Sequence, residues 1–293
     1  MKLGYNTWSM PTLSFEDAVA HLGRLGFDSV EVTVSEGWPT DAMTIPRGSA
    51  AEWKRMADQA GVAITSMTAN APVIVEDAAW RAARERLVRS MELAAELQAP
   101  GQRMPVSLTA SRPSTGPVPP MRSPPNAQWE EDRGTIVERF GELAAAAARL
   151  GVRVALEPHV FTVVHTTDRA LCVLDQVRSD ALGLNLDISH FAVQGVPSAD
   201  VVAALASRAI VSEVKDQRGR VPNFEFLIPG EGDFDYADFV REMAGAGYDG
   251  SISVEISVFR QRLAGYDPRE AARQSYAALS RAFEAAGVIR KIV

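Results

Sequence analysis

Cysteine is nearly absent from this chain of 293 residues. Cys172 stands alone, so no intrachain disulfide can form, and that usage matches a reducing compartment. No run of 18 apolar residues occurs, so no transmembrane helix is expected. The opening MKLGYNTWSM places Asn6, Thr7 and Ser9 where a secretory signal would need an apolar stretch. A basic stripe is missing too: 30 Lys and Arg face 37 Asp and Glu, a formal net charge of −7, which argues against a nucleic-acid partner. With 46% hydrophobic and 23% charged residues, disorder, collagen and disulfide scaffolds are excluded for the whole. The expectation is a soluble, cytoplasmic protein with neither nucleic acid nor membrane as partner.

Short apolar runs alternate with longer stretches of helical period. The periodicity predicts strands over 3–8, 29–34, 64–69, 103–108, 153–157, 182–187, 210–215 and 251–256. It predicts helices over 15–25, 49–60, 79–97, 129–150, 168–177, 199–207, 236–246 and 268–286. Gly26, Gly61, Gly151 and Gly247 follow apolar helical runs, where a left-handed cap is expected. Strand–helix alternation implies a parallel sheet with crossovers, and eight such units imply one (β/α)8 barrel domain over 1–293, closing between the 3–8 and 251–256 strands. The competing open, doubly wound sheet would carry a glycine-rich turn after its first strand, and here Asn6-Thr7-Trp8-Ser9 stands instead. One segment breaks the rhythm. Of 17 prolines, Pro100, Pro105, Pro113, Pro117, Pro119, Pro120, Pro124 and Pro125 fall within about 100–128, a density that excludes a helix or an interior strand. A loop there is a surface insertion, a lid or an oligomer contact.

Strand parity then gathers acids. In each of the last four strands one parity is aliphatic, and the other carries Glu157, Asp187, Glu213 or Glu255 near the C-terminal end. Converging on a barrel mouth, four carboxylates repel unless each pairs with its own Lys or Arg or all share a divalent cation. An all-oxygen set selects a hard ion such as Mn2+ or Mg2+.

The segments LGYNTWS, LGFDSVEV, ALEPH, LNLDISH, VSEVKDQRG, PGEGDFDY and SVEIS, in this order and spacing, resemble the xylose-isomerase-like barrel superfamily of sugar isomerases and epimerases. Ketose 3-epimerases, inosose dehydratases, C-glycoside deglycosidases and endonuclease IV belong to that group. The resemblance implies metal ligation by Glu157, Asp187 and Glu255. The third ligand departs from the pattern: the usual His-Val-Lys-Asp is here Glu213-Val214-Lys215-Asp216. If Glu213 ligates, the site is all-carboxylate and favours Mn2+, with Mg2+ or Co2+ as alternatives, over zinc. If it turns away, the metal keeps three ligands or is lost.

The resemblance further implies Glu157 and Glu255 as the catalytic acid–base pair, with His190 beside the metal against the substrate. His159 shares the inward parity and reaches the mouth. Arg218 is placed to clamp a substrate oxygen or phosphate, or is an exposed loop arginine. Trp8 stacks on an apolar sugar face or fills the core. Glu31, mid-strand in VEVTV, is placed on the pocket floor, and His21 and His165 are read as structural.

The chemistry implied is proton abstraction next to a carbonyl through a metal-stabilised enediolate, on a small sugar or keto-sugar. Elimination by a dehydratase or deglycosidase on the same fold is the first alternative. A non-enzymatic barrel that has lost its metal is the second, and membership of a homo-oligomer or hetero-complex stays open. Four histidines are too few for the trinuclear zinc site of endonuclease IV.

Overall fold

The computed structural model describes residues 1–113 and 126–291. Eight parallel strands close into a barrel: β1 (Lys2–Asn6), β2 (Ser29–Thr33), β3 (Ala63–Thr68), β4 (Pro105–Thr109), β5 (Arg153–Glu157), β6 (Leu182–Asp187), β7 (Ala209–Val214) and β10 (Ser251–Val254). The order around the barrel is β1-β10-β7-β6-β5-β4-β3-β2. Closure joins β1 to β10, from Lys2 opposite Ser251 to Tyr5 opposite Val254. The helices are α1 (Phe15–Leu25), α2 (Ser49–Ala60), α3 (Asp77–Leu97), α4 (Asn126–Leu150), α5 (Thr167–Val177), α6 (Ser189–Ala192), α7 (Ser198–Leu205), α8 (Tyr236–Gly245), α9 (Val258–Gln261) and α10 (Pro268–Ala286). None is long and apolar enough to cross a membrane. The expected punctuation is present: Ser14 Oγ accepts from Asp17 N, and Gly26, at φ 95°, returns its N–H to Leu22 and Gly23.

Two features stand beyond the expected rhythm. An antiparallel hairpin, β8 (Asp216–Arg220) and β9 (Asn223–Leu227), follows β7, and the short α6 and α9 follow β6 and β10. The proline-rich segment is also corrected in part, because β4 is an interior strand between β3 and β5. Pro105 is tolerated there because it is the strand's first residue, where the ladder needs no N–H from it. The helix α4 starts at Asn126, inside the predicted loop. Residues 114–125, with any role as lid or oligomer contact, lie outside the described residues.

The apolar core lies outside the barrel wall. Leu3, Tyr5, Val30, Val32, Leu108, Leu156, Leu184, Ile252 and Val254 are fully buried and join one cluster with Leu22, Leu87, Phe140, Phe239 and Phe283 of the helices. Burial of each such side chain contributes about 1.5–3 kcal/mol. The inward parity is polar instead: Asn6, Ser29, Glu31, Ser66, Thr68, Ser107, Asn185 and Ser253 are all buried. Register shifts at Val30/Glu31 and Leu184/Asn185 re-aim β2 against β3 and β6 against β7 beside this polar interior. Near the barrel floor, Ser29 Oγ and Ser251 Oγ share a hydrogen bond of 2.6 Å, and both crowd Gly4. A Cβ at Gly4 would stand 2.4 Å from Ser251 Oγ, 2.7 Å from Ser253 Oγ and 2.8 Å from Ser29 Oγ. Gly4→Ala is therefore expected to lower unfolding free energy by about 1–3 kcal/mol, measured by chemical denaturation. Unchanged stability would mean that the serine floor can move aside.

Candidate metal centre

Parallel strands present their C-terminal ends on one face, so inward residues there meet on the barrel axis. Glu157 ends β5, Asp187 ends β6, Glu213 is next to last in β7, and Glu255 directly follows β10. Each offers a carboxylate oxygen within 4.8 Å of the others. Three are almost wholly enclosed, and Glu255 is 9% exposed. The four acids picked out by strand parity are thus brought together.

Lys215, one residue beyond β7, is the cation in their midst. Its Nζ is 3.2 Å from Glu255 Oε1 and donates a short hydrogen bond to Asp187 Oδ2. Burial alone would push the Lys215 ammonium down, but Asp187, Glu255, Glu213 and Glu157 together hold it well above the usual lysine range. Asp187 is correspondingly held below the usual carboxylate range: burial raises it, and Lys215 and His190 more than reverse that. Its Oδ1 also accepts from Ser189 Oγ at 2.5 Å.

The glutamates behave oppositely. Burial, with the neighbouring carboxylates, pushes Glu157 and Glu255 up to about 8, against the pull of Lys215. Burial and repulsion from Glu255 and Glu157 push Glu213 well above the normal range. Glu213 makes no ion pair with Lys215; its Oε1 accepts from Asn6 Nδ2 at 2.7 Å and its Oε2 from Asn185 Nδ2 at 2.5 Å.

His190 sits on α6, buried, with Nε2 3.1 Å from Glu157 Oε1 and 3.5 Å from Asp187 Oδ2. Burial pushes it down to about 3, so it is a neutral imidazole at pH 7. Its Nδ1 has no partner. The ring of His159 is 3.8 Å from that of His190, and Glu157, His159 and His190 form a second potential ligand group. Glu31 is fully buried opposite Asn6 in the β1–β2 register, and its Oε1 accepts from Thr68 Oγ1 at 2.7 Å.

Trp8 lies in a single turn after β1, stacked on Trp38 at 4.1 Å between ring centroids, and Trp38 Nε1 donates to its carbonyl. Arg218 is not gathered with the acids. It lies on β8, more than half exposed, and pairs with Glu225 Oε1 at 3.0 Å and the Glu231 carbonyl at 2.6 Å. His21 and His165 bond backbone carbonyls away from the acids.

The hairpin supplies a wall that strand parity could not reveal. Phe226 of β9 meets the His190 ring edge-on at 5.4 Å, and Lys215 Nζ is 6.0 Å from its centroid. Phe161 packs against Phe224, Phe226 and Phe259, bridging loops that follow β5 and β10. Asp216 pins the loop behind it by accepting from the backbone N–H of Gly230, Gly232 and Phe234. A side chain at position 232 would stand 2.3 Å from Asp216 Oδ1, so glycine at 232 is a packing requirement.

The donor set fits a hard divalent cation. It is all oxygen, it is shielded from water, and with all four carboxyls ionised its negative charge would exceed what Lys215 can offset. Without a cation, glutamates pushed up to about 8 from 4.5 take up protons on folding. Their stabilising contribution is complete below pH 4.5 and is lost as pH rises through about 8. The metal-free protein is expected to lose melting temperature across that window, and Glu157→Gln/Glu255→Gln to show a shallower decline. Equal slopes in calorimetry would mean that both carboxyls titrate normally.

Comparison with known proteins places the fold. A family model described as xylose isomerase-like TIM barrel matches residues 19–282. An inosose dehydratase of Clostridium perfringens is 25% identical over 141 residues, 43% of this chain and 48% of that protein. A fructoselysine 3-epimerase of Escherichia coli O157:H7 is 28% identical over 156 residues, 52% of this chain and 53% of that protein. The chain spans about half the length of these curated relatives. A solved structure of the IOLI protein with a bound zinc atom shares the fold at a TM-score of 0.76 and 17% identity, over 98% of each chain. The match over most of its length shows that this chain belongs to the xylose isomerase-like TIM barrel family.

Proposed function

We propose that this chain is a divalent-metal-dependent sugar isomerase or epimerase that moves a proton next to a carbonyl. The observation that carries this reading is the buried quartet of Glu157, Asp187, Glu213 and Glu255, whose oxygens lie within 4.8 Å of one another. A divalent cation held by these four would supply Lewis-acid stabilisation of charge developing on a substrate oxygen. Hard oxygen donors favour Mn2+, with Mg2+ or Co2+ as substitutes.

The remaining chemistry belongs to the chain. Glu157 and Glu255 stand on strands separated by β6 and β7, so they approach the centre from two sides. One removes the proton and the other returns it. Return to the opposite face gives epimerisation, and return to the neighbouring carbon gives isomerisation. His190, neutral and 3.1 Å from Glu157, orients that carboxylate with its single N–H. His159 and the Trp8–Trp38 stack border the small sugar or keto-sugar, and the aromatic wall limits water. Arg218, tied to Glu225, takes no part in this scheme. The likeness to an inosose dehydratase favours a second reading on the same residues, loss of a leaving group from the carbanion.

A panel of free ketoses, ketose phosphates, inososes and 3-keto-glycosides with Mn2+ in D2O tests both. Deuterium uptake next to the carbonyl supports proton transfer, and an unsaturated product supports elimination. Glu157→Gln and Glu255→Gln should each lower turnover by about 10²- to 10⁴-fold with the fold intact. Near-native activity of either at saturating Mn2+ would remove it from the pair.

A further inference from the structure

Glu213 occupies a cradle of amides. Asn6, at the end of β1, donates one Nδ2–H to Glu213 Oε1 at 2.7 Å and the other to Thr68 Oγ1 at 2.9 Å. Asn6 Oδ1 accepts from Trp8 N at 2.9 Å and from Thr33 Oγ1 at 2.8 Å. Thr68 Oγ1 passes its own hydrogen to Glu31 Oε1. From the other side, Asn185 Nδ2 donates to Glu213 Oε2 at 2.5 Å and to Ser107 Oγ at 2.8 Å. Every residue named in these two chains except Trp8 is at most 3% exposed.

The bond directions around Asn6 admit one arrangement. Turning its amide over would set Oδ1 against the Glu213 carboxylate and the NH2 group against the Trp8 N–H, losing both of those bonds. Glu213 is therefore gripped at each oxygen from two strands, and each oxygen keeps lone-pair capacity after accepting one N–H. A neutral imidazole has a single acceptor nitrogen. In that place it could not accept from both amides and still present a lone pair to a cation. The cradle is built for a carboxylate.

We propose that Asn6 and Asn185 are positioning residues that aim the Glu213 carboxylate into the centre and so set its preference for hard divalent cations. This rests on the metal reading given above. Isothermal titration of the metal-free protein with Mn2+ and with Zn2+ tests it. Asn6→Asp and Asn185→Asp keep the shape and replace the donor with an acceptor. Each is expected to weaken Mn2+ binding by about 10- to 100-fold and to raise the ratio of Zn2+ to Mn2+ affinity, with circular dichroism unchanged. Should an Asp variant fail to fold, Thr33→Val loosens Asn6 without touching Glu213 and is expected to move the ratio in the same direction. An unmoved ratio, or Mn2+ binding within twofold of the parent, overturns the positioning role. Glu213→Gln is titrated in parallel. If it leaves Mn2+ binding unchanged, Glu213 is not a ligand and this inference fails, whereas a parent protein that takes up no Mn2+ fails the metal reading itself. If it weakens binding while the asparagine and threonine variants do not, the positioning role alone falls.

Discussion

Four carboxyls buried around one ammonium cannot all stay ionised without a further cation, because a protein interior cannot solvate the excess charge. The surrounding chemistry is organised by that imbalance. Lys215 attends to Asp187 and Glu255, and Asn6 and Asn185 attend to Glu213. His190, kept neutral by burial, spans Glu157 and Asp187. What these partners leave uncompensated is what a divalent cation would neutralise.

The barrel accommodates this because its core lies elsewhere. Aliphatic side chains on the outward parity seal the wall against the helices, so the axis is free to be polar down to the serines around Gly4. Register shifts in β2/β3 and β6/β7 adjust the aim of Glu31 and Asn185 without opening the sheet. The fold supplies polar groups on the axis by strand parity, and the family match spans the same barrel.

The mouth is finished by segments outside the strand–helix repeat. The β8–β9 hairpin brings Phe226 to His190 and Lys215, and Asp216 locks the following loop through backbone N–H groups. Trp8 and Trp38 stack where the loops after β1 and β2 meet.

The eight strand–helix units, the closure of β1 on β10 and the convergence of Glu157, Asp187, Glu213 and Glu255 were legible in the residues. Period-2 alternation reports which side of a strand faces the axis, and a barrel brings all strand ends to one rim. Asn6 and Asn185 carried the same parity signal, yet parity cannot say which polar group donates to which. Those partners come from β1 and β6, and their distances are decided by strand tilt and register. Arg218 looked well placed because it follows β7 closely, but the hairpin carries it outward to Glu225. Pro105 entered an interior strand because only its place as first residue spares the ladder an N–H. The sequence by itself determined the barrel and its acid ring, since both follow from local periodicity. Tertiary structure alone decided the pairing of Lys215 with Asp187, the amide cradle of Glu213 and the aromatic wall, because each depends on contacts between residues far apart in the chain.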